Sequence, residues 1–448
     1  MVDLLIRGGF VVTLDPSYRV FPEGAVAVKG RDIVAIGPQV EVEKQYPPQQ
    51  ARQVIEAGGK LVMPGLICTH THMPSVLGHN MPVDFSQFHE FMDLLTKWWW
   101  PQIEDQTTGE DIYWATLYAS VKMLKTGTTC VGEMVEAPMA LPGCLDASIK
   151  AADEVGIRAL ISYEATGRVN VENGRLGIQE NLRVVKGLGT GGRLRGRFAC
   201  HTADTCSADM LREVRRLASE TGAGIFIHVA EIPPALTVER LGKTAPRVLE
   251  DLGFLGPDVL AVHCIHLTDE ELDILARHDV KIAHTPMSNM LGGNGVARVP
   301  DMLERGMTVS LGHDCFFTLD IFEYLRAAYL VHKVHRLNPN VMIPPQALDL
   351  VTRSAARALG LEREIGTLEV GKRADILVVD PRAPAPLLPE TWLPYIISDV
   401  NGADVRTVVV DGRVVVKDRQ VLTVDEEEVR ARCVERARLL WQRAGAIT

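Results

Sequence analysis

Two histidines separated by one residue, His70 and His72, end an apolar run in the segment PGLICTHTHMP. The residues before them are apolar without polar alternation, which is typical of a strand buried on both faces. Side chains two residues apart on a strand point to the same side, so the two imidazoles project together from its end. At that spacing they can bind one divalent cation. A pair of hydrogen-bonded core histidines is the alternative, and further ligands elsewhere in the chain decide between the two.

Further candidates lie at the ends of other apolar runs. Between Leu61 and about residue 360, eight strand-like runs alternate with helical segments such as DIYWATLYASVKMLKTG, which predicts a (β/α)8 barrel of the TIM type. Active sites of such barrels form at the carboxyl ends of the strands. The residues at those ends are His70, His72, His201, His228, His263, His284, His313 and Asp314. This distribution favours a metal site over scattered structural histidines.

Four of these residues are the candidate metal ligands: His70, His72, His228 and Asp314. Three neutral nitrogens and one carboxylate oxygen leave a coordination position open for water, as in catalytic rather than structural sites. We expect one divalent ion per chain, Zn²⁺ in the first instance with Fe(II) as the alternative, because both accept such ligands. The ion would lower the pKa of a bound water so that hydroxide attacks at neutral pH.

Glu231, three residues after His228 in HVAE, is the candidate acid and base that moves the proton to the leaving group. A solvated loop carboxylate is the alternative, since that is the usual place of a glutamate. Asp314 can also accept the proton of the water, and His263 can polarise the substrate or steady the hydroxide. These three residues form the predicted catalytic set.

Two other kinds of metal site are disfavoured. A two-metal site usually needs a bridging carboxylate at the end of strand four, often a carboxylated lysine, and residues 188–211 contain neither Lys nor Glu. A zinc site of the cytidine deaminase type has an H-x-E sequence followed by P-C-x-x-C, and that signature is absent.

Both ends of the chain read as short strands separated by glycine-containing turns. They predict an α/β protein in which the barrel is inserted into a small β-sandwich formed by the two ends. We place the sandwich at residues 1–60 and 366–420, the catalytic barrel at 61–365, and a C-terminal helix at 421–448.

Composition bounds the partners. The formal net charge of -10 excludes a basic surface for nucleic acid. We find no signal peptide and no run long enough to span a membrane. The eight cysteines form no disulfide framework, which fits a reducing cytoplasm. We further expect a homo-oligomer, a dimer or a tetramer, that acts on a small heterocyclic molecule.

Beyond these patterns, the chain closely resembles the amidohydrolase superfamily, in its branch of cytosine, guanine and S-adenosylhomocysteine deaminases and triazine hydrolases. The segments that carry the resemblance are PGLICTHTHMP, HVAE, VHCIHLTDEELDILARHDVKIAHTPMSNM and GTLEVGKRADILVVD. It implies metal ligands at His70, His72, His228 and Asp314, an acid and base at Glu231 and a catalytic histidine at 263. It also implies substrate contacts at His201, within ACHTADTCS, and at His284 and Asn289, within AHTPMSN.

Three further residues are candidate substrate contacts. His313 stands where the branch commonly has Thr, and Phe316 and Phe317 follow where it has small polar residues, so we expect a changed pocket floor. Trp98 opens a triplet that spans roughly 200° on a helix, so at most two of the three rings face a pocket. Arg168, after strand three, can bind a substrate carboxylate, although a solvated arginine is the commoner outcome.

The leading hypothesis is a metal-dependent aminohydrolase. Hydroxide adds to the amidine-like carbon of a nitrogen heterocycle, such as a purine of the S-adenosylhomocysteine or adenosine type, and ammonia leaves. One alternative expels chloride, an alkylamine or a thiol from a triazine-, pterin- or pyrimidine-like ring. The other is a catalytically silent binding or scaffold barrel, for which a lost ligand or acid would be the mark.

Overall fold

The computed structural model of the chain describes residues 1–189, 191–315 and 318–448. In chain order, the strands begin with β1 (Val2–Val12), β2 (Val20–Lys29), β3 (Asp32–Pro38), β4 (Ala51–Glu56) and β5 (Leu61–Pro64). The barrel strands are β6 (Leu66–Thr71), β7 (Thr128–Val135), β8 (Arg158–Ala165), β9 (Leu194–Gly196), β10 (Phe198–Cys200), β11 (Ile225–Val229), β12 (Val259–His263), β13 (Lys281–His284) and β14 (Val309–Leu311). The last strands are β15 (Ile376–Val379), β16 (Val405–Val410), β17 (Arg413–Lys417) and β18 (Gln420–Val421).

Helices cover the barrel and close the chain. The first nine are α1 (Gln39–Gln45), α2 (Phe91–Leu94), α3 (Trp100–Gln102), α4 (Gly109–Lys125), α5 (Leu145–Val155), α6 (Val171–Leu188), α7 (Ala208–Thr221), α8 (Pro234–Leu241) and α9 (Ala245–Asp251). The others are α10 (Asp269–Arg277), α11 (Pro286–Leu291), α12 (Val299–Glu304), α13 (Ile321–Arg336), α14 (Pro344–Asp349), α15 (Arg353–Ala358), α16 (Trp392–Ser398) and α17 (Glu426–Arg443). Capping boxes at Thr108–Asp111 and Thr268–Glu271 begin α4 and α10 and satisfy amides that the helices leave unpaired.

The barrel consists of parallel strands in the order β6, β7, β8, β10, β11, β12, β13 and β14, with β9 added beside β8. A parallel bridge between Thr71 and Asp314 joins the first strand to the segment after the last. The amides of His313 and Asp314 donate to the His70 carbonyl at 2.8 and 3.1 Å. The barrel therefore closes through the backbone of the predicted ligands. The predicted (β/α)8 fold is confirmed.

Both chain ends contribute to a second, mainly antiparallel sheet in the order β18, β17, β16, β15, β5, β1, β2 and β3, while β4 pairs with β1. Its apolar side chains form a core of their own, which includes Leu4, Val26, Ile376 and Val409. The predicted association of the two ends is confirmed. The residue limits of the domains remain a proposal.

The apolar run that ends in His70 and His72 forms two strands, β5 and β6, which lie in different sheets. β5 pairs with β1 and β15 of the terminal sheet, whereas β6 opens the barrel. Gly65 separates them, and a Cβ atom there would lie 2.1 Å from Thr129 Oγ1. Only glycine leaves room here for the Thr129 side chain of β7, so the chain can pass from the terminal sheet into the first barrel strand just before the histidines.

A buried ion pair joins the two parts. Arg158, the first residue of β8, donates to both oxygens of Asp375 and to Asp411 Oδ1, each at 2.9 Å. Asp375 precedes β15, so the base of the barrel is bound to the terminal sheet. At the other end, α17 packs on α4, and Trp441 Nε1 donates to the Leu77 carbonyl at 2.6 Å. That contact fixes the turn after His72.

No helix within the described residues combines the length and the apolarity needed to cross a membrane. All eight cysteines are free thiols, and all but Cys315 are buried.

Candidate metal centre and active site

The four predicted ligands meet at one point at the carboxyl end of the barrel. Asp314 Oδ1 lies 3.3 Å from His70 Nε2 and 3.4 Å from His72 Nε2, and His228 Nε2 lies 3.3 Å from His70 Nε2. One donor atom from each residue falls within 4.8 Å of the others, and all four side chains are buried. Residues at positions 70 and 314 of the chain are thus brought within contact distance by closure of the barrel.

Strand alternation and one glycine position these side chains. On β11, Phe226 packs inside the barrel and Ile227 packs outside it, so His228 points inward at the strand end. Gly312 lies so close to the first strand that a Cβ atom there would be 2.8 Å from His70 Cβ. A larger residue at 312 would push His70 away from Asp314.

The arrangement fits a divalent cation. His72 Nδ1 donates to the Met134 carbonyl at 2.8 Å, and His228 Nδ1 donates to the His201 carbonyl at 3.1 Å. These bonds leave His72 Nε2 facing Asp314 Oδ1 at 3.4 Å and His228 Nε2 facing His70 Nε2 at 3.3 Å. Metal-binding histidines are commonly oriented in this way by backbone carbonyls. Acceptors directed at one point repel each other unless a positive charge lies between them.

The protonation of the rings gives the same indication. Burial lowers the pKa of His70 to about 4 and that of His228 well below its ordinary value, so both rings are neutral. Burial also acts to lower the pKa of His72, but hydrogen bonding to Asp314 and the charge of Glu136 outweigh it and raise that pKa to about 10. The cluster thus favours a positive charge beside the Asp314 carboxylate.

Glu231 and His263 lie beside the ligand cluster. Glu231 Oε1 is 3.4 Å from His263 Nε2, and Asn294 Nδ2 lies 3.4 Å from the same oxygen. Burial raises the pKa of Glu231 to about 7, partly offset by the charge of His263. A carboxyl group with that pKa can both give and take a proton at neutral pH. The role of acid and base at Glu231 stays a prediction.

His263 is turned into the site by strained backbone and held by two side chains. His263 and Cys264 have φ angles of 69° and 51°, so the chain departs from regular strand geometry at the end of β12. His263 Nδ1 donates to Asn289 Oδ1 at 3.0 Å, and Thr285 Oγ1 lies 2.8 Å from the same nitrogen. Asn289, which we expected to contact substrate, is 1% exposed and instead orients His263.

His201 reaches the pocket as predicted. Its Nδ1 lies 2.6 Å from Thr205 Oγ1, and its ring meets Trp100 edge to face with centroids 5.8 Å apart. Burial lowers the pKa of His201 to about 3, so the ring is neutral. Its Nε2 therefore faces the pocket as a hydrogen-bonding atom rather than as a charge.

Two other predicted substrate contacts lie outside the pocket. Ala283 points into the barrel, so by alternation His284 points outward, where its ring centroid is 5.1 Å from that of His332 on α13. His313 packs in the same way against Tyr324, also on α13, at 4.6 Å. The expectation that His284 and His313 line the pocket is wrong, because both fill the layer between strands and helices.

The remaining predicted contacts are divided. Trp98 lines a neighbouring cavity of about 290 Å³ together with Phe85. Trp99 and Trp100 instead line the pocket that contains His72, His228 and Asp314, called the metal pocket below. Arg168 stacks over Trp100 at 5.1 Å, but its Nη2 donates to Glu104 Oε2 at 2.7 Å and to Asp105 Oδ1 at 2.8 Å. Arg168 is thus held by carboxylates of the protein. The predicted effect of Phe316 and Phe317 concerns positions outside the described residues.

The sequence did not suggest four acidic or polar groups that border the metal pocket: Glu104, Glu136, Glu164 and Ser288. Ser288 Oγ donates to Asp314 Oδ2, the oxygen that does not face His70. Burial raises the pKa of Glu136 to about 8 and those of Glu104 and Glu164 well above the ordinary range. Strand alternation would have indicated Glu164, which points inward at the end of β8.

The site described so far defines a class. Three imidazoles and a carboxylate lie at the mouth of a (β/α)8 barrel, beside the Glu231 carboxyl, whose pKa is about 7. This combination is typical of a metal-dependent hydrolase.

Comparison with known sequences gives the family. Residues 61–415 match the model of the amidohydrolase family. The chain belongs to that family, and it is a hydrolase that acts on carbon–nitrogen bonds. The resemblance seen in the sequence motifs is confirmed.

Two named relatives align over almost the whole chain. The 5'-deoxyadenosine deaminase of Methanosarcina acetivorans is 37% identical over 437 residues, which is 96% of each protein. The 5-methylthioadenosine/S-adenosylhomocysteine deaminase of Pelotomaculum thermopropionicum is 34% identical over 445 residues, which is 98% of each.

Solved structures show the same architecture. A zinc-bound adenosine deaminase from Xanthomonas campestris superposes with a TM-score of 0.89 at 25% identity, covering 100% of this chain and 99% of that one. An atrazine chlorohydrolase variant from Arthrobacter aurescens, complexed with zinc and atraton, gives a TM-score of 0.85 at 22% identity over 97% of this chain and 100% of its own. The second likeness concerns the fold alone.

Proposed function

We propose that this protein is a metal-dependent deaminase of adenosine-type nucleosides, with 5'-deoxyadenosine, 5'-methylthioadenosine and adenosine as the first substrates to test. The observation that carries the proposal is the position of Glu231, whose carboxyl lies 3.4 Å from His263 and shares a cluster with Asp314. The named activities of the two aligned deaminases support the choice of ring.

One divalent ion per chain fits the four ligands His70, His72, His228 and Asp314. We propose Zn²⁺, with Fe(II) as the alternative, since nitrogen and carboxylate ligands suit both. When bound, such an ion lowers the pKa of a water molecule and so makes a nucleophile available at neutral pH. All further steps depend on groups of the protein.

The reaction requires a proton to move from the attacking water to the substrate. In our proposal Glu231 takes that proton and gives it to a ring nitrogen, because its pKa of about 7 suits both roles. His263, held by Asn289, steadies the attacking oxygen at its Nε2. Asp314 Oδ2, which accepts from Ser288, stays fixed while it assists the transfer to the departing amino group.

Recognition of the ring is assigned to residues that face the pocket. Trp100 offers an aromatic surface for a flat ring, and His201 offers one nitrogen for a hydrogen bond. The metal pocket has a volume of about 30 Å³ and shares Phe91 and Ser288 with the cavity of about 290 Å³. A nucleoside needs both spaces, so we propose that Phe91 moves when substrate binds.

The wider setting remains part of the proposal. We propose a homo-oligomer, a dimer or a tetramer, and a cytoplasmic location, which eight free thiols support. The rival hypothesis of a catalytically silent barrel has no support, because none of the predicted ligands or proton carriers is lost.

The proposal is tested by measuring ammonia release from a panel in one assay: adenosine, 5'-deoxyadenosine, 5'-methylthioadenosine, S-adenosylhomocysteine, guanine and a pterin. We expect kcat/KM for one of the adenine nucleosides to exceed that for guanine and the pterin by orders of magnitude. If a free base or the pterin is preferred, the nucleoside assignment is wrong. Chloride, alkylamine or thiol release from a triazine, without ammonia release from any of the panel, would favour the hydrolytic alternative.

A further inference from the structure

Glu164, the last residue but one of β8, is a buried carboxyl with no hydrogen-bond donor of its own. Its side chain is 0% exposed, and neither of its oxygens accepts from an N–H or hydroxyl group among the described residues, where its hydrogen-bond contact is with the Glu136 carboxyl. Buried carboxyl groups are nearly always paired, because an unpaired acceptor costs free energy. Glu164 lines the metal pocket, so a molecule in that pocket can reach it.

The imidazoles around Glu164 do not satisfy it. Its oxygens lie 3.7 Å from His72 Nδ1 and 3.8 Å from His228 Nδ1, but both of those N–H groups donate to backbone carbonyls instead. The nearest remaining nitrogen, His201 Nε2, is 3.6 Å away, beyond hydrogen-bond distance.

A second carboxyl stands beside the first. Glu136 has an oxygen within 4.8 Å of Glu164 and of His72 Nδ1, and it lines the same pocket. Two carboxyl groups are both acceptors, so at most one shared proton can connect them. Together they present more acceptor atoms to the pocket than the surrounding protein can fill.

Cationic side chains near this wall are already engaged. Arg168 donates to Glu104 and Asp105, and it stands behind Trp100. Within the described part of the pocket lining there is no lysine or arginine that could receive a substrate carboxylate or phosphate. The wall therefore offers carboxyl oxygens to hydrogen-bond donors and holds no cationic side chain that could receive an anion.

We propose that Glu164 and Glu136 together determine specificity. They bind a hydrogen-bond donor or a cationic group on the 5'-substituent of the substrate. This inference rests on the proposed deaminase function of the same site. It deepens that function, because it ranks substrates with the same ring: an ammonium-bearing substituent above a neutral one, and a neutral one above a carboxylate.

Three analogues with the same base test the ranking: 5'-amino-5'-deoxyadenosine, 5'-deoxyadenosine and adenosine-5'-carboxylic acid. Deamination is followed for each with the metal-loaded enzyme, and binding is measured by calorimetry in parallel. We expect kcat/KM to fall in that order. A hydrogen bond between a buried carboxylate and a charged donor corresponds to roughly 10- to 100-fold, so the ratio of amine to carboxylate should fall by about that factor in Glu164→Gln.

The matched control is Glu133→Gln. Glu133 is also a buried glutamate at a barrel strand, but both of its oxygens accept from the Met73 amide at 3.1 Å and it does not line the pocket. The control should keep the ratio of amine to carboxylate whatever it does to stability. Glu136→Gln should reduce the ratio less than Glu164→Gln, and it serves as the second variant if Glu164→Gln does not fold.

The outcomes separate the two proposals. If nucleosides are deaminated but the amine is not preferred, or Glu164→Gln and Glu136→Gln keep the wild-type ratio, the inference is wrong while the deaminase proposal stands. If no analogue is deaminated, the calorimetric ranking still decides the inference and the deaminase proposal fails. A second bound metal ion that disappears in Glu164→Gln would also overturn the inference, because the pair would then be a cation site.

Discussion

Histidines at the strand ends of this barrel fall into two groups with opposite environments. His228 points inward and meets His70, His72 and Asp314, whereas His284 points outward and meets His332 on α13. Both sit at the carboxyl end of a parallel strand, and both are buried. The difference is the side of the strand: Phe226, two residues before His228, packs inside the barrel, and Ile282, two residues before His284, packs outside it.

The two groups also differ in what surrounds the nitrogens. In the inner group a carboxylate and backbone carbonyls orient the rings. In the outer group both nitrogens of His284, His313 and His332 lack a hydrogen-bond partner among the residues described. The same residue type therefore clusters with a carboxylate on one face of the barrel and fills the layer between strands and helices on the other. This comparison teaches that a histidine at a strand end predicts function only when the alternation of its strand is known.

The largest expected effect comes from removing an inner ligand. Asp314→Asn keeps the shape but removes the charge that holds the cation and assists proton transfer, so we expect metal content to fall below one per chain and activity to be lost. Elemental analysis and the deamination assay measure the two effects. His284→Gln is the matched change in the outer group and should keep the metal. Equal metal loss in both variants would contradict the division into two groups.

The next largest effect concerns Glu231. Glu231→Gln keeps the volume and the contact with Asn294 but cannot carry a proton, so kcat should fall by ~10²–10⁴. Metal content should stay near that of the wild type, since Glu231 is not a ligand in our account. Steady-state kinetics with parallel metal analysis distinguishes a lost proton carrier from a lost ion. An undiminished kcat would mean that another group carries the proton, and His263 would be the next candidate.

A smaller effect is expected at Asn289, which touches His263 rather than the substrate. Asn289→Ala removes the acceptor of His263 Nδ1, so the ring loses its fixed orientation, and kcat should fall roughly 10- to 100-fold. KM should change little, because no substrate contact is lost. Asn289→Asp keeps an acceptor for that N–H and should restore part of the rate. A change confined to KM would return Asn289 to the substrate-binding role suggested by the sequence.

The smallest expected effect on activity comes from His332, which packs against His284 of the outer group. Here the change is expected in the pH dependence of the free energy of unfolding rather than in activity. Burial lowers the pKa of His332 to about 4 from 6.5. The unfolded chain takes up a proton below pH 6.5 that the folded protein refuses until about pH 4, so His332 costs stability as the pH falls through this range. The slope is about 1.4 kcal/mol per pH unit for one histidine.

His332→Leu should remove that part of the slope while kcat/KM stays as it was. Urea unfolding at several pH values between 4 and 7 measures it. His89→Leu, at an exposed position away from α13, controls for the loss of an imidazole. A slope unaltered in His332→Leu would mean that the buried ring does not resist protonation.

Much of the molecule could be predicted from the sequence, for identifiable reasons. The four candidate ligands could be picked out because PGLICTHTHMP, HVAE and the sequence Gly312-His313-Asp314 each place a candidate at the end of an apolar run, a position that barrel topology brings to one point. The association of the chain ends followed from strand and turn patterns. Both predictions rest on periodicity, which is local.

What the sequence could not give depends on side-chain direction and on contacts between distant segments. His284 and His313 were assigned to the pocket, although alternation directs His284 to α13. A substrate contact was predicted for Asn289 because nothing in AHTPMSN indicates that His263 lies beside it. Glu164 was missed because its significance comes from having no partner, which only the assembled pocket reveals.

The most direct test of the central claim is anomalous X-ray diffraction at the zinc edge from crystals of the zinc-loaded protein. The account predicts one strong peak per chain, about 2.0–2.2 Å from the Nε2 atoms of His70, His72 and His228 and from Asp314, and no peak between His284 and His332. A peak in the outer group, or two peaks of equal strength in the inner one, would contradict the account.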